Sequence, residues 1–130
     1  MDDVLRVVCL CAAWCGVCRD YAAVFDDAAL AFGAQAEFTR IDIEDDAELV
    51  SDVDVENFPT LLITRGAQPL FFGTVTPHTQ TLARLVQGAL AGELNLPAAA
   101  PEVVALAQRM HRHLSARSAS PPEGSAPLAP

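Results

Sequence analysis

Residues 4–18 read Val4-Leu5-Arg6-Val7-Val8-Cys9-Leu10-Cys11-Ala12-Ala13-Trp14-Cys15-Gly16-Val17-Cys18. Up to Cys11 every position but Arg6 is apolar, and a near-continuous run of this length fits a strand covered on both faces. Ala12 to Gly16 turn the chain out of it. From about Cys15 to Phe32 the apolar positions fall at Cys18, Ala22, Phe25, Ala29 and Phe32, the spacing of an amphipathic helix. Gly33 is placed to stop that helix. Two cysteines separated by two residues therefore stand where a strand hands over to a helix. Cys15 lies at the exposed start, beside free backbone N–H groups and the positive end of the helix dipole, and both favour thiolate, the nucleophilic form. Cys18, one turn further in, is shielded and placed to attack a mixed disulfide formed by Cys15.

Working outward, Phe38 to Ile43 alternates as a second strand, with Phe38, Arg40 and Asp42 against Thr39, Ile41 and Ile43. A short helix is expected over about 46–53, then a bend at Asn57-Phe58-Pro59. Thr60 to Thr64 reads as a buried strand, Arg65 to Gln68 as a hairpin turn and Pro69 to Val75 as a fourth strand. Thr76 as N-cap and Pro77 as first helical residue open a helix to about Leu90. The order β-α-β-α-β-β-α predicts an α/β sandwich of three layers around a mixed four-stranded sheet. Strands joined through helices are expected parallel, the last two antiparallel. The domain is read as 1–94, followed by a linker over 95–100. An amphipathic helix over 101–114 follows, carrying Val103, Leu106, Ala107, Met110 and Leu114. Residues 115–130, rich in proline and serine, read as a disordered tail.

The 130 residues suit one domain, and a 52% hydrophobic fraction supports a core, although 23 of the residues are alanine. All eight basic residues are arginines, set against 17 acids for a net charge of −9. That balance excludes the basic footprint of a nucleic-acid binder, and no run approaches the ~20 apolar residues of a membrane span. Most of the acidity precedes Pro59. The simplest reading is a solvated acidic face; as a constraint on partners, it disfavours acidic substrates and favours neutral or basic ones. Met1-Asp2-Asp3 puts acids where a secretory signal carries positive charge, so the expected location is the cytoplasm, where thiols stay reduced.

Trp14-Cys15-Gly16-Val17-Cys18, together with Phe58-Pro59-Thr60 placed 44 residues after the first cysteine, resembles the two landmarks of the thioredoxin superfamily. Arg65-Gly66 and Gly73 fall near that family's hairpin turn and late glycine, and the likeness covers about residues 4–92. It implies a thiol–disulfide oxidoreductase in which Cys15 attacks and Cys18 resolves. No bound cofactor or metal is implied, only a redox-active Cys15–Cys18 disulfide. It also implies a cis bond before Pro59 and a substrate groove shaped by Trp14, Gly16, Val17, Phe58, Pro59 and Thr60, near Val75 and Thr76. Partners would be protein disulfides and a thioredoxin-reductase-like electron donor, and the chain a monomer or weak dimer. The alternative is a thioredoxin-fold binding or assembly module, chaperone-like, with vestigial redox activity.

Three departures from the family matter. Val17 replaces a typical proline. Cys9 takes the place of a buried aspartate that assists proton transfer at the resolving thiol, and Cys11 that of a frequent aromatic. Cys9 and Cys11 share one face of their strand, which by the resemblance looks toward the Cys15–Cys18 helix. They read as two small buried hydrophobes, as auxiliary thiols trading disulfides with the active pair, or as half of a four-thiolate zinc or iron–sulfur site. His111 and His113 read as solvent-facing, and His78 has no catalytic partner. The chain also begins too late for the family's first strand and helix. Helix 101–114 would then cover the sheet face left open, contact a second copy, or dock a partner.

Overall fold

The computed structural model describes residues 4–12, 16–45, 47–50, 59–76, 78–94 and 100–119. The elements are β1 (Leu5–Cys11), α1 (Gly16–Phe32) with a 3-10 turn (Gly33–Gln35), β2 (Glu37–Asp42), β3 (Thr60–Arg65), β4 (Gln68–Thr74), α2 (Thr79–Leu90) and α3 (Pro101–Ala119). Four strands form one mixed sheet in the order β2-β1-β3-β4, so the apolar run of β1 lies inside the sheet as its pattern demands. Gly33, at a φ of +58°, ends α1 in the left-handed region that glycine enters without strain. Gly66, at +61°, does the same for the β3–β4 turn.

β1 and β2 are parallel, with Cys9 opposite Arg40. β3 corrects the expectation: it runs antiparallel to β1, with Leu10 opposite Thr60, and antiparallel again to β4. The reason lies in the segment after β2. A parallel crossover has to carry the chain back along the whole sheet, but here β2 ends and β3 begins at the same end. The expected helix over 46–53 is replaced at 47–50 by turns, and 46 and 51–58 lie outside the described residues. Asp42 starts the turns by accepting the Glu44 and Asp45 backbone N–H groups on Oδ1 at 2.8 and 3.4 Å.

Alternation along β1 sorts its side chains into two cores. Leu5, Val7 and Cys9 pack with Leu61 and Ile63 against Tyr21 and Phe25 of α1 and Leu82, Val86 and Ala89 of α2. Val8 and Leu10 pack with Ile41 and Leu62 against Leu106, Met110 and Leu114 of α3. Of the three roles open to the helix after the linker, the structure shows the first: α3 covers the second sheet face. It runs to Ala119 rather than stopping at Leu114, since no proline interrupts 115–119 and Ser115 is engaged with β1.

That engagement explains the one charge in β1. Arg6 is 3% exposed. Its Nε donates to Glu37 Oε1 at 3.0 Å and its Nη2 to Ser115 Oγ at 3.4 Å, while Nη1 lies 3.1 Å from His111 Nδ1. Guanidinium nitrogens only donate, so Nδ1 accepts. His111 is thus tied to the sheet instead of facing solvent. α2 begins two residues later than expected, at Thr79 with His78 as N-cap. Thr76 Oγ1, the expected cap, is held by Thr81 Oγ1 at 2.8 Å.

Candidate functional site

The carboxyl end of β1 and the first turn of α1 bring two sulfurs together. Cys11 is the last residue of β1, on the side facing α1, and helical side chains lean back toward their own N-terminus. Cys18 therefore reaches over the strand end, and the two are joined as a disulfide with their Cα atoms 5.8 Å apart. In the state described the sulfur of Cys18 is thus paired with Cys11, one of the two cysteines read as possible auxiliary thiols. Cys15 lies outside the described residues, as do Trp14 and Phe58 and with them the expected cis bond before Pro59. Gly16 opens α1 and is exposed, and Val17 follows it in the same helix.

Antiparallel pairing of Leu10 with Thr60 places the start of β3 at that same end of the sheet. Pro59 is buried there, its carbonyl accepting the Val75 N–H at 3.0 Å. Thr60 is buried beside it, with Oγ1 3.4 Å from Thr74 Oγ1. The fold thus gathers Cys11, Cys18, Pro59, Thr60 and Val75 at one end of the sheet.

Cys9 lies one step deeper. It is 1% exposed, and its Sγ stands 3.5 Å from Cys11 Sγ. Burial pushes its thiol up to about 12 from an ordinary 9.0, and the charge of Arg40 only partly opposes this. The Tyr21 hydroxyl is buried with no hydrogen-bond partner among the described residues. Its pKa is raised as well, first by burial and then by Cys9. The place a family aspartate would hold thus carries a thiol that keeps its proton at neutral pH.

A cleft of about 780 Å³ opens between α1 and β2, lined by Cys9, Cys11, Cys18, Arg19 and Arg40 among others. Neither arginine stood out as a site residue from sequence. Arg40 pairs with Asp26 at 3.6 Å across the cleft, a contact between distant segments. The Arg19 guanidinium folds back over the head of α1, where a Cβ on Gly16 would lie 3.8 Å from Nη2. The signal available for it was a cation four residues after Cys15. Part of the acidity, exposed as expected, borders arginines of α3. Glu44, Asp45 and Glu48 line a second cleft of about 540 Å³ together with Arg109, Arg112 and His113 of α3.

Among the described residues no group of three or more His, Cys, Asp or Glu side chains is arranged to hold a metal. With Cys11 and Cys18 bonded to each other, the four-thiolate alternative lacks two of its ligands in this state. No described helix is long and apolar enough to cross a membrane.

The thioredoxin family profile matches residues 2–87. Thioredoxin of Staphylococcus aureus is 26% identical over 70 residues, covering 54% of this chain and 67% of that protein. Among solved structures, the germline-specific thioredoxin Deadhead of Drosophila melanogaster superimposes with a TM-score of 0.60 at 24% identity. The overlap is 66% of this chain and 81% of that one. The Fasciola hepatica thioredoxin gives 0.60 at 22% identity over the same shares. At these identities the structural likeness speaks for the fold.

Proposed function

Because the chain belongs to the thioredoxin family, we propose that it exchanges disulfides with protein substrates through Cys15 and Cys18. Cys15 thiolate attacks one sulfur of a substrate disulfide and expels the other as thiolate. Cys18 then attacks the Cys15 sulfur of the mixed disulfide, releasing the reduced substrate and leaving Cys15 and Cys18 joined. A dithiol donor of the thioredoxin-reductase kind would restore both thiols. The single observation that carries this reading is Cys18 itself, buried in the first turn of α1 with its sulfur already in a disulfide. The helix N-terminus and the Arg19 guanidinium supply positive charge at the start of α1, the setting in which a thiolate is favoured. Pro59 and Thr60, with Val75, would form one wall of the groove, and Trp14 and Phe58 the rest. We place the protein in the cytoplasm, as a monomer or weak dimer, acting on neutral or basic protein surfaces and not on nucleic acid.

Insulin reduction by dithiothreitol tests the proposal. Wild-type protein should accelerate it, and Cys15→Ser should return the rate to that of the dithiol alone. Equal rates for the two proteins would refute the assignment of Cys15. One observation favours the second reading, a binding or assembly module with weak redox activity. Cys9 keeps its proton at neutral pH and cannot take one from Cys18 as a carboxylate does. That reading requires suppressed aggregation of an unfolded client by Cys15→Ser as effective as that by wild type.

A further inference from the structure

Three of the four cysteines converge at the end of β1, and they are not equivalent. Cys9 sits at the floor of the cleft, is 1% exposed and is not in a disulfide, and the reading of a small buried hydrophobe suits it. Cys11 does not fit that reading. It is only half-buried, lines the open cleft with Cys18, and is bonded to Cys18 across a seven-residue separation. We propose that Cys11 is a third redox thiol, which takes over Cys18 from Cys15 and so moves the disulfide from the surface pair to the Cys11–Cys18 pair. The proposal rests on the reading above, in which Cys15 and Cys18 form the surface pair.

The step is an exchange and needs no outside oxidant. Cys11 gives up its thiol proton to water in the cleft, and its thiolate attacks Cys18 Sγ. The Cys11–Cys18 bond forms, the Cys15–Cys18 bond breaks, and Cys15 leaves as thiolate, free to take a proton from solvent. Cys11 and Cys15 swap oxidation states and the total is unchanged. Cys9 does not compete as the attacking group. Although its sulfur is 3.5 Å from that of Cys11, burial holds its proton in place.

The chemical consequence is a second activity for the same site. Once Cys18 is locked to Cys11, Cys15 is a nucleophile without its resolving neighbour. A partner disulfide attacked by Cys15 then stays attached to the protein as a mixed disulfide until a donor reduces Cys11–Cys18. The site would alternate between turning substrates over and holding them.

The test uses the full chain. Reduced Cys15→Ser protein, with three cysteines left of the four, is oxidised with diamide and its thiols are counted after denaturation. The expected count falls from three to one, whereas Cys11→Ser/Cys15→Ser keeps both of its thiols. A single variant that keeps all three overturns the proposal, and so does a double variant that loses its two, because Cys9 would then be the partner. Wild-type protein gives a check that does not depend on a variant folding. After oxidation, alkylation and chymotryptic cleavage at Leu10, Trp14 and Tyr21, peptide 11–14 should be found disulfide-linked to peptide 15–21. Recovery of 11–14 entirely alkylated overturns the proposal. Neither measurement needs Cys15 to be reactive, so a failure here is separate from a failure of the insulin assay.

Discussion

Between the sheet and α1 lie Cys9, Cys11 and Cys18, a tyrosine hydroxyl without a partner among the described residues, and an open cleft of about 780 Å³. Beneath α3 the opposite face is filled by Leu106, Met110 and Leu114, and its buried charge, Arg6, is held by three side chains. Both faces use the same strands, read at alternate residues. The difference teaches that reactivity and closure can be assigned to opposite sides of one strand. On the first face packing is left incomplete where sulfur has to be reached. On the second, Val8, Leu10 and Leu62 are sealed beneath α3, and the open space there lies at the polar rim.

The strongest way to break the comparison is Leu106→Ala. Leu106, on the inner face of α3, is fully buried, and truncating it should destabilise the fold by about 2–5 kcal/mol. Insulin-reduction activity per folded molecule should stay unchanged. A chemical-denaturation curve and a rate normalised to folded fraction read the two faces separately, and a loss of normalised activity would join them. Next comes pH. The folded state holds the Cys9 proton to about 12, while an unfolded thiol releases it near 9.0. Between those values the native state binds the extra proton, so stability falls as pH rises, and below about 9 this group has no effect. Thermal melts of reduced protein should therefore decline from pH 9 upward more steeply in wild type than in Cys9→Ala. Parallel slopes would mean that Cys9 is not desolvated. Arg6→Ala, on the α3 face, should cost about 1–3 kcal/mol by stranding the groups it bonds, read as a lower denaturation midpoint. The smallest effect sharpens the contrast from the cleft side. The Arg40–Asp26 pair is more than half exposed at both ends, so Asp26→Asn should shift stability by less than about 1 kcal/mol.

Much of this was legible locally. The apolar run at 4–11 and the three- and four-residue spacing after Cys15 place β1 and α1 almost where they lie, because strand and helix periods need only neighbouring residues. The sulfur pairing was legible only as one of three readings of Cys9 and Cys11. Cys11 and Cys18 are close in sequence, but their meeting depends on how the helix leans over the strand end. Cys9 and Cys11 looked alike by alternation, yet one lies inside the strand and is 1% exposed, while the other, at its last residue, is half-buried. Arg6 read as a blemish in an apolar run, since its partners stand 31, 105 and 109 positions away. The direction of β3 failed for a similar reason. Alternating strand and helix signals imply crossovers, and only the pairing of Leu10 with Thr60 shows that β3 starts at the end where β2 stops.

The long reach of Arg6 to Ser115 sets an order of events during synthesis. A chain growing from its amino terminus has made β1, β3 and α1 well before α3 exists. Until then Val8, Leu10 and Leu62 have no helix over them, and an uncovered apolar sheet face is the surface on which nascent chains associate. The interval in which this protein most needs shielding thus ends only when α3 has been made. Any truncation between Leu94 and Pro101 would make that interval permanent.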